Sequence, residues 1–112
     1  FIKALSHAAE ENDYLTLKLA DKQDVWLHTK DIPGSHVIIR TGGLGVDELD
    51  EETIYRAASI AAFHSKAKNG SKVPVDYVPV KYVKKPAGAK PGMVIFTHNR
   101  TVYVDPEEEK NE

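Results

Sequence analysis

Asp24 to Arg40 gathers a dense set of side chains capable of chemistry: Asp24, Trp26, His28, Asp31, Ser35, His36 and Arg40. Three arrangements are open to them. His28 and His36 with Asp24 would supply the three ligands of an open zinc site, although their spacing matches no established metal signature. Asp24 and His28, two steps apart on either side of Trp26, could instead form a hydrogen-bonded pair that fixes the imidazole. Ser35 and His36 invite a hydrolase reading, but neighbours on a strand point to opposite faces. The serine–base hydrogen bond that a nucleophile needs is therefore out of reach.

The elements that position these groups follow from periodicity. Val25 and Leu27 alternate with Asp24, Trp26 and His28, so Asp24–His28 reads as a strand with Val25 and Leu27 toward the core. Pro33-Gly34 marks a turn, and Ser35–Arg40 is a second strand rich in β-branched residues. Trp26 on the face opposite Val25 and Leu27 fits a core under long loops. It also fits a base-stacking platform worth ~1–3 kcal/mol per base.

At 112 residues the chain is sized for one domain, 41% hydrophobic and 29% charged with a net charge of −2, the composition of a folded globular protein. It contains no cysteine, which excludes disulfides and thiolate chemistry. No apolar run approaches the ~20 residues that span a bilayer, so no membrane insertion is expected. Phe1 is not an initiator and the opening residues do not resemble a signal peptide. The chain is expected to be a piece of a longer multidomain protein, with its core at about 12–106.

Charge is segregated. Residues 47–52 hold five acids, and the chain is acidic again from Pro106. From Thr53 to Val104 nine Lys and Arg face a single acid, Asp76. Such a basic stretch reads either as a solvated lysine face or as a surface for an anionic partner. Tyr77, Tyr82 and Tyr103 lie among Lys81, Lys84 and Lys85, as on many nucleic-acid surfaces, though tyrosine on a strand is also ordinary packing.

In chain order, Ala4–Glu11 suits a short helical turn, and Tyr14–Ala20, with Leu15, Leu17 and Leu19 alternating, suits a first strand. The glycine loop Thr41–Gly45 lacks any nucleotide-binding fingerprint, and the acids behind it would repel phosphate. Asp50 is placed as an N-cap, Glu51 and Glu52 complement the dipole, and Leu49 and Ile54 form a staple. The helix is expected from Glu51 to about Lys68, with Ala57, Ala58, Ala61 and Ala62 against the sheet and Asn69-Gly70 as a left-handed stop. Val73–Val83 is β-like, with Pro74 and Pro79 implying an edge or bulge. Lys84–Gly92 is a basic loop, and Met93–Thr97 and Thr101–Val104 form a hairpin around His98-Asn99-Arg100. The fold class is α+β, a mainly antiparallel sheet of about six strands on one principal helix, in the order βββ-α-βββ.

Taken together, Asp24-x-Trp26-x-His28, Gly34-Ser35-His36-Val37, Glu52-Thr53-Ile54 through Ala61-Ala62, and Val83-Lys-Lys-Pro-x-Gly-x-Lys-Pro-Gly92 resemble the NFACT-R domain. This is the C-terminal RNA-binding module of ribosome-associated quality-control factors, whose bacterial members also carry the name fibronectin-binding protein or adhesin. The resemblance runs from about Asn12 to Pro106. It implies a cytoplasmic, non-catalytic module without cofactor or metal. Its partners would be tRNA and the stalled large ribosomal subunit during template-free alanine addition to nascent chains. It further implies that Asp24, Trp26, His28, Ser35, His36, Arg40, Lys84, Lys85 and Lys90 meet RNA, with Trp26 as a stacking platform. The name carries an alternative, a cell-surface domain that binds fibronectin. One departure stands out: Ser6–Glu11 replaces the family's Gly-(Lys/Arg)-Asn-Asn run.

Overall fold

A computed structural model describes residues 2–4 and 13–108. The expected turn at Ala4–Glu11 and the unusual run at Ser6–Glu11 lie outside the described residues, Ala4 excepted. Strand β1 (Ile2–Ala4) opens the chain; a π-helical segment (Leu15–Leu19) leads to β2 (Val25–Thr29) and β3 (Val37–Ile39). Helix α1 (Glu51–Phe63) follows, then β4 (Val73–Pro79), β5 (Val83–Lys84), β6 (Ile95–Phe96) and β7 (Arg100–Val104). Five strands form one antiparallel sheet in the order β1-β3-β2-β4-β7, and β5 pairs with β6 in a separate ribbon. The α+β class holds, with the strands divided between two sheets.

Period-2 alternation sorts the sheet's side chains. Val25 and Leu27 of β2, Val37 and Ile39 of β3, Val73 and Val75 of β4 and Val104 of β7 form one core with α1. Ala57, Ala58, Ala61 and Ala62 are fully buried there, so the helix can approach the sheet closely. The helix start is as the sequence predicts: Thr53 N–H donates to Asp50 Oδ1 at 2.8 Å, and Leu49 and Ile54 both join the core.

The helix end differs. It stops at Phe63 rather than near Lys68, because the chain turns to bridge Gly34 and Ser65. Ser35 N–H donates to His64 O, and Lys66 N–H donates to Pro33 O. Left-handed backbone falls at Lys72 (φ 52°), not at the expected Asn69-Gly70 stop. This is a tertiary override: backbone groups of the Pro33–Ser35 turn replace the next helical turn.

Two other expectations are corrected. Tyr14–Ala20 is helical, not a strand, and β1 takes the place beside β3. Thr16 is completely buried, Leu17 is half-buried and Leu19 is exposed. Second, β7 does not pair with β6 in a hairpin; it pairs with β4, and β6 with β5. β4 is accordingly interior, not an edge, and carries Pro74 and Pro79 at its second and last positions, where few ladder bonds are lost.

The Gly34–Ser65 crossing is tight. A Cβ on Gly34 would meet Ser65 Cβ at 2.8 Å and Thr29 Oγ1 at 3.1 Å. Gly34→Ala is expected to destabilise the fold by about 1–3 kcal/mol through overpacking. A second change, Ser65→Gly, should restore part of that loss, read as urea midpoints of the three proteins.

Candidate nucleic-acid interface

The sheet face away from α1 needs its own cover. β2 presents Trp26 there, paired across the sheet with Ile38 and Val78. Over it lies a flap built from the β5–β6 ribbon and the loop between its strands. Register decides which side each flap residue faces. Val83 pairs with Phe96 and Lys84 with Ile95. Val83 and Phe96 turn inward, Phe96 with its ring 4.8 Å from that of Trp26. Lys84 and Ile95 turn outward, Ile95 being 58% exposed.

The flap loop is tied down by Lys85. Its ammonium pairs with Asp13 at 3.0 Å and donates to the carbonyls of Lys90 (2.6 Å) and Met93 (3.4 Å). Gly92 N–H donates to the same Asp13 carboxylate at 3.0 Å. Lys85, expected to face RNA, is thus engaged as a fastener between the flap loop and Asp13 just before the π-helical segment. Lys84 and Lys90 stay exposed, and among the described residues neither side chain enters an ion pair.

The stacking platform is corrected as well. Trp26 is only 1% exposed, so no base can lie on its face while the flap is closed. Its neighbours are protein rings: His28 stacked at 5.7 Å and His36 edge-on at 5.4 Å. The spacing was compatible with a core, and the flap makes it one.

The remaining candidates of the Asp24–Arg40 stretch are structural in their contacts. Asp24 does not pair with His28. It is buried and accepts from Thr41 N–H (3.0 Å), Asp21 N–H (2.9 Å) and Arg40 Nε (2.9 Å). Arg40 thereby balances a buried carboxylate at the start of β2. Ser35 is buried in the crossing to α1. His36 is buried and shares a 2.7 Å hydrogen bond through Nδ1 with Thr16 Oγ1. Among the described residues no group of three His, Asp or Glu is placed to hold a metal; His28 and His36 meet edge to face at 5.7 Å.

A different aromatic pair is accessible. Tyr82, half-buried beside the flap, stacks on exposed His98 at 4.2 Å, and Lys81 lies 5.3 Å from the Tyr82 ring centre. His98 holds a left-handed backbone (φ 62°). These residues border an open groove of about 610 Å³ that continues to Asn99 and Arg100 and ends at Asp47 and Glu48. Arg100 is drawn to that acidic end, 2.7 Å from Asp47. Sequence reading placed His98 in a turn only. The adjacency of Lys81 and Tyr82 was the available signal, but the stack on His98 depends on long-range geometry.

An α+β sheet with an aromatic pair and lysines on its outer flap has the surface makeup of a nucleic-acid-binding domain. The chain belongs to the family described as the NFACT protein RNA binding domain, whose model matches residues 5–98. It is 56% identical over 97 residues to the Rqc2 homolog RqcH of Bacillus subtilis (strain 168), covering 87% of this chain and 16% of that protein. Against the Rqc2 homolog RqcH of Streptococcus suis (strain 05ZYH33) identity is 44%, covering 89% and 17%. The chain thus spans only a small part of the curated relatives it matches. It also superposes on the C-terminal structure of the fibronectin/fibrinogen-binding protein from Streptococcus suis with a TM-score of 0.86. That match has 41% identity and covers 96% of this chain and 41% of that one. The resemblance read from sequence motifs is borne out.

Two outcomes follow from the buried rings. Trp26→Ala is expected to cost about 3–5 kcal/mol of stability, seen as a large fall in denaturation midpoint. Burial, opposed by hydrogen bonds that the ring donates to the Thr29 and Gly34 backbone and by the charge of Asp76, holds the His28 imidazole below its ordinary value of 6.5. Below that value the unfolded chain takes a proton that the folded chain resists, so stability declines as pH falls from 6.5 toward the lowered folded value. Melting temperatures at about pH 7.5 and about pH 5.5, either side of the free histidine value, should drop toward acid, and less in His28→Gln.

Proposed function

We propose that this chain is the RNA-binding module of a ribosome-associated quality-control factor. It would meet tRNA and the large ribosomal subunit in the cytoplasm while nascent chains receive alanine tails. The observation that carries the RNA-binding part is the flap's outer surface. Lys84 and Lys90 are exposed there, and Lys81 is exposed beside the Tyr82–His98 stack, within a family named for RNA binding. The relatives' name supports the quality-control setting.

The division of labour is physical. Lysines on a flexible stem neutralise phosphates without reading sequence, while an exposed aromatic pair gives an unpaired base a surface worth ~1–3 kcal/mol. The acids at Asp47 and Glu48 repel a backbone at the far end of the groove, so the strand is expected along the flap rather than across the α1 N-terminus. This role is one of binding and asks no catalysis of the chain. Among the described residues no helix is long and apolar enough to cross a membrane.

A second reading has one observation behind it: the Streptococcus suis structural neighbour is named a fibronectin/fibrinogen-binding protein. Under it, this surface would bind fibronectin outside the cell.

Titrating the chain with tRNA at several salt concentrations, beside fibronectin, separates the two. RNA affinity should fall with salt at ~0.7 log units per phosphate neutralised on a single strand. The triple change of Lys81, Lys84 and Lys90 to Ala should weaken binding across sequences and reduce that slope by up to about 2, with little effect on melting. Unchanged low-salt tRNA affinity in the triple variant would reduce the flap lysines to a solvated face. Fibronectin binding that exceeds tRNA binding and ignores salt would favour the second reading.

A further inference from the structure

At the rim of the flap, between its loop and the open end of the sheet, lies a half-open cavity of about 200 Å³. Gly92, Met93 and Val94 form its outer lip; Trp26, His28 and Asp76 form its inner wall. Its polarity is not that of a sealed core. Trp26 Nε1 is buried and, among the described residues, has no hydrogen-bond partner, which is uncommon for a buried donor. Asp76 is buried beside His28, its Cα partner across the strands. The donors that reach its carboxylate, from Thr101 (2.8 Å), Asn99 (3.0 Å) and Lys30 (3.4 Å), all converge on Oδ1. Burial keeps His28 neutral near pH 7, so its ring adds a polar edge without charge.

The size and chemistry of this cavity select its occupant. Its volume is below the ~300–1,000 Å³ of drug-sized sites and suits one ring system. The carboxylates of Asp31 and Asp76 on its wall disfavour phosphate, whereas Lys84 and Lys90 lie on the flap's exposed side. An apolar side chain would leave the indole N–H and the carboxylate unmatched. A planar group carrying a donor and an acceptor on one edge would match both. Met93, 61% exposed at the lip, is a side chain that can adapt to an entering ring.

We propose that this cavity receives one unpaired nucleobase bearing an exocyclic amine. The amine would donate to Asp76, an outward shift of the Gly92–Val94 lip would let a ring or carbonyl acceptor take the buried Trp26 N–H, and the flanking phosphates would lie on the flap lysines. Splayed-out bases held in this way are the usual means of reading single-stranded RNA. The inference rests on the RNA-binding reading and deepens it.

Trp26 is the chain's single tryptophan, so its emission and its one indole N–H resonance report on the surroundings of this one ring. The 112-residue chain is titrated with short end-labelled oligomers of A, C and U and an abasic oligomer of equal length. Binding is followed by label anisotropy, and the cavity by the indole resonance. Oligo-A and oligo-C should shift the indole resonance and bind at least tenfold tighter than oligo-U or the abasic chain. The last two should bind by charge alone. Asp76→Asn should erase the preference while retaining salt-sensitive binding. Should that variant fail to fold, the comparison of oligomers on the unaltered chain decides by itself. Equal affinities with an unmoved indole resonance overturn the cavity and leave RNA binding in place. A shift of the same size with all four oligomers also overturns it, since the ring would be sensing flap movement. If no oligomer binds at low salt, the RNA-binding reading falls and the cavity's role falls with it.

Discussion

Strand β2 is buried on both faces, and the rest of the molecule is arranged to make that possible. Val25 and Leu27 face α1, while Trp26 faces the flap. A single helix covers only one side of a five-stranded sheet. The other side is closed by pieces too short to be stable alone: a π-helical segment, a two-residue ribbon and a loop. Trp26 supplies the apolar surface that gathers them, and large aromatics dominate core energetics for this reason. Asp13 then fastens two of the pieces by accepting from both Lys85 and Gly92. The outer surface that we propose for RNA is the back of this cover, so in that proposal recognition and burial are two faces of one ribbon.

Charge follows the same logic. The basic excess between Thr53 and Val104 overstates what a partner would meet. Arg56 leans on Glu52, Lys85 on Asp13 and Arg100 on Asp47. Exposed pairs such as Arg100–Asp47 add little stability, but they lower the field that a phosphate would sense. Six lysines of the stretch then enter no ion pair among the described residues: Lys66, Lys68 and Lys72 after α1, and Lys81, Lys84 and Lys90 on the flap and the short turn leading into it. The flap group forms the narrower of the two sets, a short track of cations rather than a diffuse basic face.

Much of the frame was legible in the sequence because it is set by near neighbours. Asp50, Leu49 and Ile54 mark the helix start through contacts within one turn, and the parity of Val25, Trp26 and Leu27 assigns them correctly to opposite faces. What parity could not supply is whether the second face is covered. Trp26 was therefore open to both readings, and its face is covered only because distant parts of the chain close over it. The same limit explains the run Leu15, Leu17, Leu19, whose strand-like spacing yields to a Thr16–His36 contact between distant parts of the chain. Lys84 and Lys85 are adjacent and chemically identical, yet only Lys85 is committed to Asp13. Helix termination at Phe63 was hidden likewise, since it depends on Gly34 accepting Ser65 at close range.

The pairing of β4 with β7 gives the flap an unusual standing in the chain. Tyr77 lies opposite Arg100 in the ladder, so residues 80–99 leave the sheet and return to nearly the same place. Topologically they are an excursion from a hairpin, hung over a tryptophan. The entropy of closing such an excursion rises only slowly with its length. The sheet's register is therefore insulated from what happens within it. Residues can be gained, lost or recharged between Val83 and Phe96 without re-pairing any strand of the main sheet, so long as something apolar still reaches Trp26. A fixed scaffold with one freely editable strap lets related chains keep a common body while altering the surface they show to a partner.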